Sequence, residues 1–285
     1  MKKYALQKLM ALLLPALAAC VAGCTGSKVK EEAPVAADSL MADTCVADTL
    51  ESMIEEQPMP KAADELFDDF FFNFAGNRKL QIQRIAFPLT VKRDGEVEQR
   101  LEKQQWHVDH FFIPQEYYTL ILDNRKQMNL VKDTAVSHVV VEKINLHTHH
   151  VKQYVFNRDN GLWMLKEICH LSMAHNHNAS FLTFYEKFST DSVYQIESMD
   201  ESVVFTAPDP DDDFNTLTGT IEPEQWPMFK PSFIPTGVIY NIIYGKQPKE
   251  SKKKIFMVRG IANGLEMEMV FEQKEGHWKL VKFDS

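Results

Sequence analysis

Two segments of the chain place large aromatic residues at the spacing of an α-helix. The first set stands at positions i, i+3, i+4 and i+7 of one stretch: Phe67, Phe70, Phe71 and Phe74. The second set repeats this spacing 114 residues later: Phe181, Phe184, Tyr185 and Phe188. Each set puts four rings on one helix face without a polar partner. We therefore predict two helices that pack their aromatic faces into a core, with Asp64 and Asn178 as N-caps.

Other residue pairs repeat in the same order along the chain. Leu80-Gln81-Ile82 corresponds to Tyr194-Gln195-Ile196, and Trp106 corresponds to Trp226. Near the end of each copy the pattern Gly-x-Trp-x-Leu recurs, beginning at Gly161 and at Gly276. An ordered set of this kind indicates an internal duplication. We predict two copies of a domain of roughly 110 residues, a size sufficient for one core: a first half at 62–172 and a second half at 173–285.

The remainder of each half alternates short apolar runs with turn signals. A short polar helix is expected to end at each middle Trp, from Glu98 to Trp106 and from Pro223 to Trp226. Eight strands are then predicted: 117–122, 136–144, 149–156 and 163–168 in the first half, and 237–244, 255–261, 265–271 and 278–283 in the second. A helix followed by an antiparallel meander, twice, predicts an α+β fold in which a curved sheet wraps round each helix.

The N-terminus has the pattern of a bacterial export signal. Lysines at positions 2, 3 and 8 precede an apolar run, Leu9 to Ala19. This run is too short for a bilayer span of roughly 20 residues. Small residues then precede Cys20 and Cys24, and both sites resemble the lipobox of lipoproteins. Cys24 is preferred because Gly23 precedes it and polar residues follow; Cys20 is the alternative. Residues 1–23 are thus predicted to be a lipoprotein signal peptide.

Composition and charge narrow the possible partners. Residues 24–61 are poor in aromatics and rich in Ala, Asp, Glu, Ser and Pro, which predicts an acidic flexible tether. The chain has a net charge of −9, and a mature form without residues 1–23 carries about −12. This charge gives no general attraction to nucleic acid or to anionic lipid headgroups. We expect no nucleic acid partner, and membrane contact only through the N-terminal lipid.

The assembled features resemble two known groups of proteins. A helix with an aromatic stripe, a middle Trp and a meander ending in Gly-x-Trp-x-Leu is similar to the cone-shaped fold of nuclear transport factor 2. The leader, acidic tether and doubled domain resemble an uncharacterised lipoprotein family of Bacteroides-like gut bacteria. The resemblance spans residues 64–285 and implies two tandem cone-shaped domains, each an N-terminal helix on a curved antiparallel sheet. Relatives include isomerases, dehydratases and binding modules, so the fold alone assigns no function.

Histidines supply the first candidate chemistry. Six of the ten lie close together in sequence: His147, His149, His150, His170, His175 and His177. On a strand His147 and His149 would share a face, a spacing that suits Zn²⁺ or Cu²⁺ with His170 or His175 as third ligand. Beyond His177 the second half contains only His277, so the cluster is not repeated. We therefore favour a polar strand face and a His-rich interdomain loop, and expect neither a metal nor another cofactor.

Three further groups of residues are candidates for catalysis, for Ca²⁺ binding and for a disulfide. His107 and His110 would lie one helical turn apart with Asp109 nearby, as acid–base catalysis could use, but the second half has no counterpart. The acidic run at 209–213 could offer oxygens to Ca²⁺ but lacks the Gly and Glu of an EF-hand. A disulfide between Cys45 and Cys169 is not expected.

The resulting expectation is a lipid-anchored protein of the cell envelope, on the periplasmic or surface face of the outer membrane. Its expected role is a non-catalytic binding module for a small ligand or an envelope protein. The alternative is an isomerase-like or hydrolase-like enzyme that uses a pocket inside one cone. Catalytic relatives of the fold hold an Asp/His or Tyr/Asp set there, and no such set maps onto both halves. Convergent polar residues in an enclosed pocket would favour the enzyme.

Overall fold

The computed structural model describes residues 64–209, 212–247 and 251–284. It confirms a mixed α+β fold, with short helices and one large curved sheet of twelve strands. Among the described residues, no helix is long and apolar enough to cross a membrane. The predicted signal peptide, Cys20, Cys24, the tether and Cys45 lie outside the described residues.

The helices and strands have the following bounds. The helices are α1 Phe67–Gly76, α2 Arg78–Arg84, α3 Ala179–Thr190, α4 Ser192–Glu197 and α5 Trp226–Phe229. The first-half strands are β1 Ile85–Arg93, β2 Glu96–Leu101, β3 Tyr117–Leu122, β4 His138–Asn145, β5 His150–Asp159 and β6 Leu162–Ser172. The second-half strands are β7 Met199–Asp209, β8 Asp212–Ile221, β9 Val238–Tyr244, β10 Lys253–Gly260, β11 Glu266–Lys274 and β12 His277–Asp284. All eight predicted strands are present.

Two hairpins were not predicted, β1–β2 and β7–β8. The polar helix expected from Glu98 to Trp106 is wrong, because Glu96–Leu101 is a strand and only Lys103–Gln105 forms a single 3₁₀ turn. Strand β2 is exposed along nearly its whole length. It therefore lacks the apolar–polar alternation by which a half-buried strand is recognised.

The order of strands in the sheet interleaves the two halves. It runs β2-β1-β6-β5-β4-β9-β3-β10-β11-β12-β7-β8. Strand β9 pairs antiparallel with β4 of the first half, and β3 pairs antiparallel with β10 of the second. In chain order β3 would be the neighbour of β4, and β9 the neighbour of β10. Each of these two strands thus pairs with a strand of the other half, and we call β3 and β9 the exchanged strands; they lie parallel at the centre of the sheet.

The two hydrophobic cores lie on opposite faces of the central strands. On β10, Ile255 and Met257 belong to the core around α1, whereas Phe256 and Val258 belong to the core around α3. Successive side chains of a strand point to opposite faces, so one strand serves both cores. We call these the first core and the second core. The central strands are consequently buried on both faces.

Both aromatic stripes are buried, as predicted. The four rings of α1 are at most 2% exposed and lie in the first core, and the four of α3 are at most 7% exposed and lie in the second. The predicted N-cap at Asp64 is wrong, because Asp64 forms an ion pair with Arg84 at 2.7 Å and Leu66 is the N-cap residue of α1. Asn178 is the N-cap residue of α3, as predicted, but its Oδ1 makes no capping hydrogen bond and accepts instead from the ammonium of Lys254.

A buried polar network links the exchanged strands. The Glu142 carboxylate on β4 accepts hydrogen bonds from the amides of Asn241 on β9, Gln153 on β5 and Asn176 before α3, at 3.0, 2.8 and 2.7 Å. The Oδ1 atom of Asn241 also accepts from the backbone N–H of Ile121 on β3 at 2.9 Å. Glu142 and Asn241 are both 0% exposed. Because buried polar groups need partners, this network favours the exchanged register over others.

Candidate functional site

A cleft of about 450 Å³ lies beside α1, and we call it the Asp68 cleft. Its walls come from α1, the segment before β3, and strands β3, β9 and the end of β10. The apolar wall is formed by Phe71, Phe72, Phe112, Tyr118, Ile242 and Ile261. Asp68 and Asp69, in the first turn of α1, also line it. The cleft therefore combines an apolar, aromatic body with carboxylates on one side.

One hydrogen-bond donor and one cation act on the Asp68 carboxyl. The Tyr244 hydroxyl on β9 donates to Asp68 Oδ1, and the charge of Arg259 on β10 lowers the pKa of both Asp68 and Tyr118 against the effect of burial. Burial raises the pKa of Asp68, and burial followed by the nearby Asp68 charge raises the pKa of Tyr118 to about 12. Both phenols are thus protonated donors at neutral pH. The Arg259 guanidinium also lies 3.7 Å from Glu266 Oε1, so its positive charge acts on Glu266 as well as on Asp68.

A second group of polar side chains lies on the other side of Phe111. The Tyr154 hydroxyl on β5 donates to Asp109 Oδ2, and the Lys152 Nζ atom lies 3.5 Å from the same oxygen. The Lys152 ammonium also lies 4.5 Å from the centroid of the Tyr154 ring. Asp109 borders two cavities of about 280 and 610 Å³, which we call together the Asp109 cleft. Trp106 and His170 line the smaller of the two.

Burial changes the acid–base properties of this group. It lowers the pKa of Lys152, which the charge of Asp109 partly offsets. It also raises the pKa of Tyr154, and the Asp109 charge acts in the same direction. The lowered pKa makes Lys152 the group here that can transfer protons near neutral pH, whereas the raised pKa keeps Tyr154 a protonated donor to Asp109.

A buried glutamine holds the loop that carries Asp109. Gln81 on α2 donates to the Asp109 carbonyl at 2.9 Å, and its Oε1 accepts from the Trp106 indole at 3.1 Å. The second half repeats the Gln–Trp contact, because Trp226 donates to Gln195 Oε1 at 3.0 Å. The repeated Gln and Trp in the sequence are thus structural. Only the first half adds a carboxylate to this scaffold.

The expected helical arrangement of His107, Asp109 and His110 is wrong. Residues 106–110 adopt no helix, and Asp109 contacts Tyr154 and Lys152 instead. Tyr154 and Lys152 were not identified from the sequence. A signal was present, because the residues 115 positions later are Met269 and Met267, both buried in the second core. At these equivalent sequence positions the first half has a polar pair and the second half an apolar pair. Such a difference indicates a candidate site in the half that has the polar residues.

The candidate metal ligands do not converge on one point, because each contacts a different partner. His147 and His149 are in the turn between β4 and β5, with His149 at φ 52°, so they do not share a strand face as expected. His149 Nε2 lies 2.8 Å from Glu186 Oε2, and His175 Nδ1 lies 3.7 Å from Asp94 Oδ1. His170 stacks on His150, with 3.2 Å between ring nitrogens. Within the described part of the chain, no group of three or more His, Cys, Asp or Glu could hold a metal ion.

Two other candidates can be located. The acidic run at 209–213 spans the β7–β8 turn, and Pro210 and Asp211 lie outside the described residues. Cys169 on β6 is a half-buried free thiol, and burial raises its pKa. A raised pKa reduces the thiolate fraction, so Cys169 is not an activated nucleophile.

Comparison with known proteins supports the fold. The model of a family described as a domain of unknown function (DUF4348) matches residues 46–285. A crystal structure of an NTF2-like protein from Bacteroides fragilis NCTC 9343 is 39% identical, with a TM-score of 0.72 over 80% of this chain and 98% of that one. A search of curated proteins found no match. The predicted NTF2-like fold is confirmed, and the chain belongs to the DUF4348 family.

Proposed function

We propose that the protein is a binding module that takes up a small, largely apolar ligand in the Asp68 cleft. The observation that carries the proposal is the cleft's construction, with aromatic walls and the Asp68 carboxyl, which accepts a hydrogen bond from Tyr244. Its volume of about 450 Å³ suits a small molecule, since ligand pockets commonly measure roughly 300–1,000 Å³. Apolar walls provide affinity, and the few polar groups orient the ligand.

A polarity-sensitive fluorescent dye tests this proposal. The dye should bind the wild-type protein and lose most of its affinity in Ile261→Trp, because a bulkier side chain at the rim fills the cleft. The matched control is Leu217→Trp, which enlarges another apolar residue, on β8, that is 51% exposed. Equal dye binding by both variants would place the binding elsewhere and overturn the proposal.

We further propose that the protein is exported and lipid-anchored in the cell envelope. The support is the leader at 1–23 with its small residues before Cys24, or alternatively Cys20, and the acidic tether at 24–61. The tether would hold the globular part away from the membrane surface. Mass spectrometry of the membrane-extracted N-terminus should show a diacylglyceryl group on Cys24. A soluble product with an unmodified N-terminus would refute the anchor.

We also propose that residues 62–172 and 173–285 are tandem copies of one cone-shaped domain. The support is the equivalent burial of the two aromatic helices and the repeated Gln81–Trp106 and Gln195–Trp226 hydrogen bonds. The exchange of β3 and β9 would then be an exchange between copies. Superposing the two halves in a crystal structure of this chain tests the proposal, and unmatched helices would contradict it.

A second candidate function is proton-transfer catalysis in the Asp109 cleft, of an isomerase-like or hydrolase-like kind. The observation that favours it is the contact of Asp109 with Tyr154 and Lys152, whose counterparts in the second half are methionines. Turnover of enolisable ketones or of esters tests it. Activity should disappear in Asp109→Asn and persist in Asp191→Asn, which changes an acid of the second half that caps α4. Equal activity of both variants would exclude the Asp109 cleft.

A further inference from the structure

Several features of the Asp68 cleft bear on which ligand it accepts. Its lining residues include two carboxylates, Asp68 and Asp69, and no lysine or arginine. Outside the lining, the charge of Arg259 offsets part of the rise in the Asp68 pKa, and this guanidinium lies 3.7 Å from Glu266 Oε1. A ligand anion would face two carboxylates without an uncommitted positive partner. The charge of the cleft therefore opposes acids.

The walls of the cleft suit a cation with an apolar body. Phe112 and Tyr118 pack side by side, with ring centroids 5.2 Å apart, and Phe72 is 38% exposed beside them. Aromatic faces attract an ammonium group, and the attraction strengthens where water is excluded. Asp68 lines the same cavity and can accept a charge-assisted hydrogen bond. Rings and carboxylate thus favour the same chemical group.

We propose that the Asp68 cleft binds an amine whose hydrocarbon or aromatic body fills the apolar wall and whose ammonium group pairs with Asp68. This inference rests on the proposed binding function and specifies its ligand class. The Tyr244 hydroxyl fixes one oxygen of the Asp68 carboxyl, so the acceptor is positioned before the ligand arrives. Such preorganisation reduces the entropic cost of binding.

Three probes that share one body test the ligand class. Calorimetry would compare 4-phenylbutylamine, 4-phenylbutanol and 4-phenylbutanoate, which differ only in the terminal group. The amine should bind most tightly, by about tenfold over the alcohol, and the acid should bind most weakly. In Asp68→Asn the preference of amine over alcohol should disappear. In Asp200→Asn, an acid that pairs with Lys274 in the second half, it should remain.

The outcomes separate this inference from the function on which it rests. Equal binding of all three probes would leave the binding module intact and overturn the amine. A preference for the acid would also overturn it. Absence of binding by every probe, together with unchanged dye binding in Ile261→Trp, would overturn the binding function itself. Circular dichroism of Asp68→Asn establishes that the variant is folded, and titration of the alcohol shows whether its apolar wall is intact.

Discussion

Lys254 offers a sharp test of how the interleaved sheet is held together. It lies on β10 with no exposed surface, and its ammonium donates to Asp123 Oδ1 at 2.5 Å and to Asn178 Oδ1 at 2.7 Å. Asp123 directly follows the exchanged strand β3, and Asn178 directly precedes α3. One buried cation thus connects an exchanged first-half strand to a second-half helix.

The substitution Lys254→Met removes the charge and keeps most of the side-chain volume. It leaves a buried carboxylate at Asp123 and an unpaired amide oxygen at Asn178. Removing one partner of a buried ion pair costs about 3–5 kcal/mol, because it leaves a buried charge. We expect the lower end of this range, since His177 Nε2 lies 3.5 Å from Asp123 Oδ2 and remains next to the carboxylate. The adjacent Lys253 provides the matched control. The side chains of Lys253 and its ion-pair partner Glu272 are 48% and 38% exposed. Lys253→Met should therefore cost less than about 1 kcal/mol of stability.

Urea denaturation followed by tryptophan fluorescence measures both free energies of unfolding. The double variant Lys254→Met with Asp123→Asn completes the test, because a neutral amide no longer requires a cation and can donate to Asn178. It should be more stable than Lys254→Met alone. A loss below about 1 kcal/mol in the single variant, or a double variant less stable than the single, would refute the role given to this ion pair.

Three further results are expected from unfolding experiments. Phe71→Ala should cost about 3–5 kcal/mol because the ring is 1% exposed, and a loss below about 1 kcal/mol would contradict its place in the first core. Asn241→Leu should cost about 1–3 kcal/mol, since it leaves the Ile121 N–H without its acceptor; an unchanged stability would refute the network. Burial raises the pKa of Glu142 in the folded protein above its value in the unfolded chain. The stability that Glu142 contributes is therefore present at low pH, where it is protonated, and is lost as pH rises through the folded pKa. Wild type should therefore gain stability relative to Glu142→Gln between pH 7 and pH 5, and a pH-independent difference would contradict this.

The helices and most strands were predictable because their signals are local. The aromatic spacing in α1 and α3 depends only on neighbours in the sequence, and the structure buries those faces. The hairpins β1–β2 and β7–β8 were missed, since the outer strands β2 and β8 are exposed and carry no alternating pattern. The exchange of β3 and β9 was not predictable either. Both strands are buried on two faces and mostly apolar, so pattern alone does not select a partner.

The candidate sites show the same division between local and distant information. The sequence indicates Asp109 as a candidate because His107 and His110 are its neighbours. Its partners in the structure, Tyr154 and Lys152, lie more than 40 residues away in the sequence. Which residues face Asp109 depends on the register of β5 in the sheet. The comparison of Tyr154 and Lys152 with the buried methionines of the second half would have indicated them. Positions at which the two halves differ are thus where candidate site residues can be sought in the sequence.

The exchanged strands also build the Asp68 cleft. Ile242 and Tyr244 come from β9, which reaches the first core only because it lies beside β4. Tyr118 comes from β3, whose pairing with β10 brings Arg259 opposite it in the register. Asp68 and its hydrogen-bond donor Tyr244 are accordingly 176 residues apart in the sequence. The cleft requires residues from both halves, so the exchange that joins the halves is also what creates the proposed binding site.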